Sequence, residues 1–275
     1  MEHKMINRVY AMYFSGTGTT QTICETIAAQ AARVLGTEKL TYDFTLIKNR
    51  NSFPDFNSED LVIFGVPTYA GRVPNVLLKY LATLIGNGAY AVPIVLFGNR
   101  NYDDSLIELR NILGDKGFKT IAGGAFVGEH SFSRILGAGR PNEDDKVEAR
   151  EFADKICEKL KNGNVEIPVH VKGETPIRTY YQPRDRKGTP INILKVKPVV
   201  NKELCDNCGI CAEVCPMGSI PKDDVFSYTG ICIKCGACEK KCPKGARYYD
   251  DAGYIYHRTE LEEGYPEPKK NEVFL

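Results

Sequence analysis

Eight of the ten cysteines lie between Cys205 and Cys242, in two copies of one pattern. Residues 205–216 read CDNCGICAEVCP and residues 232–243 read CIKCGACEKKCP. The run C-x2-C-x2-C-x3-C-P thus recurs after 27 residues, with six of twelve positions identical. The N-terminal residues, MEHKMINRVYAMYF, hold no apolar stretch long enough for a signal peptide. A cytoplasmic chain is therefore expected, with reduced thiols and no disulfide framework. Clustered thiols in such a chain point to metal. Zinc also takes four thiolates, but zinc modules use separated C-x2-C pairs rather than two triplets each followed by x3-C-P. The two remaining cysteines, Cys24 and Cys157, stand alone in predicted helices and read as buried, inert thiols.

The pattern resembles that of the bacterial two-cluster ferredoxins. That resemblance implies two [4Fe–4S] clusters with crossed ligation, the fourth cysteine of each run reaching the other cube. Cys205, Cys208, Cys211 and Cys242 would hold one cluster, and Cys232, Cys235, Cys238 and Cys215 the other. Gly209 and Gly236 would supply backbone freedom where the chain hugs the metal.

The rest of the chain needs another fold. Residues 8–160 alternate strand signals (9–14, 40–46, 61–66, 91–97 and within 120–127) with helical spacing (22–35, 76–85, 105–116 and 144–160). Continuous apolar strands between helices predict an α/β domain, a doubly wound five-stranded parallel sheet covered on both faces. Four segments are expected. Residues 1–162 form this domain, and residues 163–195 a proline-bearing connector that packs through Ile177, Tyr180, Tyr181, Ile191, Ile193 and Leu194. Residues 196–250 form the small α+β cysteine unit, and residues 251–275 a polar tail with little pattern. A net charge of +1, 43% apolar and 26% charged residues, and no span-length apolar run give no reason to expect nucleic acid or a membrane as partner.

The first strand opens through Ser15, Gly16, Thr17, Gly18, Thr19 and Thr20 directly into a helix. Amides at a helix N-terminus and uncharged hydroxyls suit a phosphate monoester. No lysine follows Gly18, so this is not a Walker A loop, and Gln21 breaks the G-x-G-x-x-G pattern. Two further loops belong to the same sheet edge, where open α/β sheets bind ligands. One holds Pro67, Thr68, Tyr69, Ala70 and Gly71, the other Gly98, Asn99, Arg100, Tyr102 and Asp103. In length, element order and the S-x-T-G-x-T motif, residues 8–160 resemble the flavodoxins. The resemblance implies FMN, its phosphate on Ser15–Thr20 positions and its ring flanked by the two later loops, with Tyr69 and Tyr102 stacking. Arg72 and Arg100 depart from the acidic loops of that family. A third loop, residues 128–140 with His130 and Arg134, follows the fifth strand and could cap the ring or bind a substrate or partner.

Together the two parts resemble the flavodoxin–ferredoxin fusion proteins of anaerobes. The expected function is electron transfer between the clusters, FMN and redox protein partners such as a ferredoxin or an oxidoreductase. The alternative is a flavin-dependent reductase of a small molecule, binding its substrate through Arg100, Tyr102, His130 or Arg134. Two finer expectations follow. The Ala70–Gly71 peptide, in a type I or II turn, would flip to offer a carbonyl to the ring. The basic residues of the second cysteine run, Lys240 and Lys241 among them, would face an external acidic partner.

Overall fold

The computed structural model describes residues 6–163 and 165–275. The chain starts with β1 (Arg8–Tyr13), α1 (Thr19–Leu35), β2 (Glu38–Asp43), β3 (Asp60–Pro67), α2 (Asn75–Leu81), β4 (Tyr90–Phe97) and α3 (Ser105–Asp115). It continues through β5 (Lys119–Thr120), β6 (Gly123–Val127) and α4 (Glu143–Asn162). The strands pair in parallel in the order β2-β1-β3-β4-β6, with β5 also on β4. With β5 and β6 counted as one fifth strand, this is the 2-1-3-4-5 order of the flavodoxin-like doubly wound fold.

The fifth strand is broken for a local reason. In a parallel ladder the amide of Ile121 donates to Ala91 O (3.1 Å). The return bond would come from the residue at 93, and Pro93 has no N–H to give. Pairing resumes only at Ile94 with Gly124.

Side chains of β1 alternate between two cores, as a strand buried on both faces requires. Tyr10, Met12 and Phe14 pack with Phe44, Phe64, Leu77 and Leu106 on one side. Val9, Ala11 and Tyr13 pack with Ile23, Ile27, Phe152 and Ile156 on the other. Helix α1 lies so close to β3 that a Cβ on Gly65 would overlap the Cys24 sulfur. Cys24 and Cys157 are buried, as expected, and burial pushes the Cys157 thiol up to about 11.

The connector packs as a strap rather than crossing open solvent. Val169 and Val171 enter the first core, Arg178 reaches Asp104, and the Tyr180 hydroxyl donates to Val73 O (2.8 Å). The cysteine unit then carries β7 (Val199–Val200), α5 (Ile210–Glu213), α6 (Ala237–Lys240) and β8 (Arg247–Tyr248), with β7 and β8 antiparallel. The tail is structured too. Asp251 caps α7 (Ala252–Gly264) by accepting from Tyr254 N–H (2.8 Å), and β9 (Glu272–Phe274) adds an antiparallel strand to β6. Among the described residues no helix is long and apolar enough to cross a membrane.

Candidate functional site

The eight clustered cysteines surround two separate cavities, and each cavity takes three thiols from one run and one from the other. Cys205, Cys208, Cys211 and Cys242 line a cavity of about 330 Å³. Cys215, Cys232, Cys235 and Cys238 line one of about 360 Å³. Both runs turn through a glycine with positive φ, Gly209 (76°) and Gly236 (75°), into the single helical turns α5 and α6. The fourth cysteine of each run accepts an amide from four residues on: Ser219 N–H to Cys215 Sγ (3.4 Å) and Ala246 N–H to Cys242 Sγ (3.3 Å). Among the described residues no three His, Cys, Asp or Glu side chains converge as they would on a single ion. Four thiols around each cavity are the donor set that an inorganic cube with four thiolate ligands requires.

A third cavity, of about 450 Å³ with the open space at its mouth included, lies at the carboxyl edge of the sheet. Gly16, Thr17, Thr19 and Thr20 line it where α1 begins, so the helix amides and hydroxyls are available to a phosphate. Ser15 and Gly18, also expected there, shape the loop instead of lining it. The Ser15 hydroxyl accepts from Gln21 N–H (3.1 Å), and Gly18 takes φ 100° as the N-cap of α1. Pro67, Thr68 and Tyr69 follow from the second loop, and Leu96, Phe97 and Gly98 from the end of β4.

The second and third loops depart from expectation in several ways. Tyr102 does not flank the cavity. It is 5% exposed, packed on Phe97 (5.4 Å between centroids), and its hydroxyl donates to Glu272 of β9 (3.0 Å). Asn99 is turned to the tail, with its amide bonding Tyr265 O (2.8 Å) and Glu267 O (3.0 Å) and its oxygen accepting from Lys269 N–H (2.9 Å). Arg100 pairs with Asp103 and lies over the Tyr181 ring (4.8 Å). Arg72 is held by both oxygens of Glu108 (2.7 and 2.6 Å) and sits over Tyr180 (4.8 Å). Ala70 and Gly71 form the centre of a two-residue turn between Tyr69 and Arg72, with φ of 51° and 76°. Two positive φ values make it a type I′ hairpin turn, not type I or II. The carbonyl of the Ala70–Gly71 peptide accepts from Tyr181 N–H of the connector (2.8 Å), so it is not free to turn.

The wall that Tyr102 was expected to provide comes from the loop after β6. Gly128, Glu129, His130 and Ser131 line the cavity, and the His130 ring fills the space where a Cβ on Gly98 would stand. His130 Nδ1 accepts from Phe132 N–H (3.1 Å), which leaves the ring proton on Nε2. Burial, with Lys240 nearby, pulls its pKa down to about 3, so the ring is neutral at physiological pH. The last lining residue is Cys235, one of the second quartet. Gly16 allows this approach: a Cβ there would lie 3.1 Å from the Cys235 Cβ. No pattern within the N-terminal domain could have shown Cys235 at this cavity.

The expected basic end faces outward only in part: Lys241 and Lys244 are exposed, but Lys240 and Arg247 are turned inward. Lys240 is 10% exposed and its ammonium bonds Glu129 (2.5 Å), His130 O (2.6 Å) and Ser133 O (2.8 Å) inside the contact between the two units. Arg247 is 3% exposed and donates to the Tyr228 hydroxyl (2.7 Å). The first quartet is on the open side, where Cys208, Asp206 and Asn207 are exposed.

Comparison with known proteins identifies the cysteine unit. Residues 197–220 and 228–248 each match a 4Fe-4S binding domain. Among solved structures, the chain is similar to a flavodoxin from the domain Archaea (14% identity, 56% of this chain and 99% of that one, TM-score 0.40). It is similar to oxidised Flavodoxin 2 from Bacillus cereus (16%, 56% and 99%, 0.39) and to a flavone reductase (10%, 61% and 67%, 0.42). No curated protein matches the chain. Strand order and cysteine quartets together define a flavodoxin-like α/β domain followed by a pair of 4Fe–4S binding domains.

Proposed function

We propose that the chain is a cytoplasmic electron-transfer protein holding two [4Fe–4S] clusters and one FMN, and passing electrons between them and a protein redox partner. The observation that carries this reading is the position of Cys235, which belongs to the second thiol quartet and to the wall of the 450 Å³ cavity at once. When bound, the clusters would supply one-electron steps and the flavin one- or two-electron steps.

The protein's own part is placement. The α1 N-terminus and Thr17, Thr19 and Thr20 would receive the phosphate, while Tyr69 and His130 would border the ring. The exposed edge near Cys208 would meet the partner, because the second quartet is covered by the α/β domain. Of the four residues expected to hold a reductase substrate, only His130 lines the cavity. Tyr102 is in the core, Arg100 is paired, and Arg134 is directed to Glu239 O (3.4 Å). This favours the carrier.

The test is anaerobic reconstitution of the full chain with iron, sulfide and FMN, followed by quantitation and rapid mixing with dithionite. Eight irons and one flavin are expected per chain, with flavin reduction slowed in a Cys238→Ser variant that lacks the second cluster. Flavin reduced equally fast in that variant would refute the route through Cys235.

A further inference from the structure

The loop of residues 128–134 contributes four residues to the candidate flavin cavity, yet it is only partly held by its own domain. Within that domain, Glu129 N–H donates to Arg140 O (2.9 Å) and His130 N–H to Leu136 O (3.0 Å). The Ser133 hydroxyl accepts from Ile135 N–H and Leu136 N–H (3.1 Å each). Three acceptors keep capacity for a further donor: the Glu129 carboxylate, the Ser133 carbonyl, and the His130 carbonyl, which already takes Ser133 N–H (3.2 Å). All three turn toward Lys240 at the end of α6, whose ammonium has three N–H donors and spends one on each. The neighbours of Lys240 add to the seam. A Cβ on Gly236 would stand 2.6 Å from Ser131 O, and Arg134 bonds Glu239 O (3.4 Å).

We propose that the flavin site is a composite of both units, in which Lys240 is a positioning residue that holds the 128–134 loop in its flavin-binding shape. The inference rests on the reading of the 450 Å³ cavity as the flavin site. Without the ammonium, a carboxylate and two carbonyls would face one another with only Ser133 N–H, on His130 O, as a donor among them, and the loop would open to hydrate the rest. A small metal unit folds with its metal. Loss of the second cluster would therefore withdraw Lys240, Gly236 and Cys235 from the cavity together. Flavin affinity would depend on cluster content, and by linkage flavin would stabilise the second cluster.

The experiment titrates the full chain, clusters in place, with FMN and follows quenching of flavin fluorescence and the flavin's visible circular dichroism. Lys240→Met should raise the FMN Kd by about 10-fold or more, since even one of its three charge-assisted hydrogen bonds accounts for that much, and alter the flavin dichroism while iron content and cluster EPR stay as in wild type. Lys222→Met, in the same unit but paired with Glu213 (2.8 Å), should leave the Kd unchanged. A wild-type Kd in a cluster-replete Lys240→Met protein overturns the inference. A wild-type chain that binds no FMN overturns the flavin reading instead. If Lys240→Met does not accumulate, amide exchange of residues 128–134 in the wild-type chain decides. Faster exchange after chelation of the clusters supports the inference, and unchanged exchange overturns it.

Discussion

The Asp104 carboxylate, with a side chain 1% exposed, is where the connector is fastened to the α/β domain. One oxygen accepts from Glu174 N–H (3.0 Å) and Arg178 Nη2 (2.6 Å), the other from Arg178 N–H (2.9 Å) and Nε (2.8 Å). Asparagine at this position would place an NH₂ against two of those donors. The Arg178 guanidinium and these amides hold the carboxyl at about 2, below its ordinary 3.8, which corresponds to about 2 kcal/mol. Arg178 is 53% exposed, so solvent screening trims this to about 1–2 kcal/mol. The folded pKa is depressed, so the stabilisation is complete above about pH 4 and fades as pH falls toward 2. At pH 7 all of it is present to lose. Asp104→Asn should therefore speed amide exchange of residues 174–181 about 5- to 30-fold at pH 7, measured by mass spectrometry on the holo chain. Exchange of those residues at the wild-type rate would refute the assignment of Asp104 as the anchor.

Cys215→Ser should remove the EPR signal of the cluster otherwise held by Cys232, Cys235 and Cys238 and spare the other, and loss of the nearer cluster alone would rule out crossed ligation. Gly65→Ala should destabilise the chain by about 1–3 kcal/mol in urea, because its Cβ would overlap Cys24 Sγ and come within 2.8 Å of Thr20 Cγ2. Adding Cys24→Ala should recover part of that loss, and a strictly additive double variant would show that the two residues do not meet. Asn99→Ala deletes three hydrogen bonds to the tail, and limited proteolysis should then cut between residues 265 and 275 while flavin and iron content hold.

What could be read in the sequence was local or repeated. The two cysteine runs are plain from their spacing, their crossed grouping is what the ferredoxin resemblance implied, and the strand–helix alternation of residues 8–160 led to the observed parallel sheet. The phosphate loop was recognisable because a strand-to-helix turn is built by adjacent residues. What could not be read depends on residues far apart in the chain. Tyr102 turns inward because Glu272, 170 residues later, offers its hydroxyl an acceptor. Lys240 reads as a surface charge until the Glu129 loop folds against it. The Ala70–Gly71 turn is type I′ in a setting where Tyr181 fastens the Ala70 carbonyl. Residues 251–275 lack a clear pattern because α7 buries only Tyr254, His257 and Leu261 among polar neighbours, and β9 is three residues long and exists only by pairing with β6.

That short strand changes what kind of joint links the two halves. The chain leaves the α/β domain at the end of α4 and is stitched back to it along the connector by Val169, Val171 and Arg178. It then builds the cysteine unit and returns to the same sheet through β9. The cysteine unit is topologically an insert with two seams rather than a bead on a string. A single nick in the connector would leave it attached through the tail, and swivelling about one linker is denied to it. Grafting a different cysteine unit onto this domain would require matching both seams at once, because a replacement joined only through residues 163–195 would lack the edge strand.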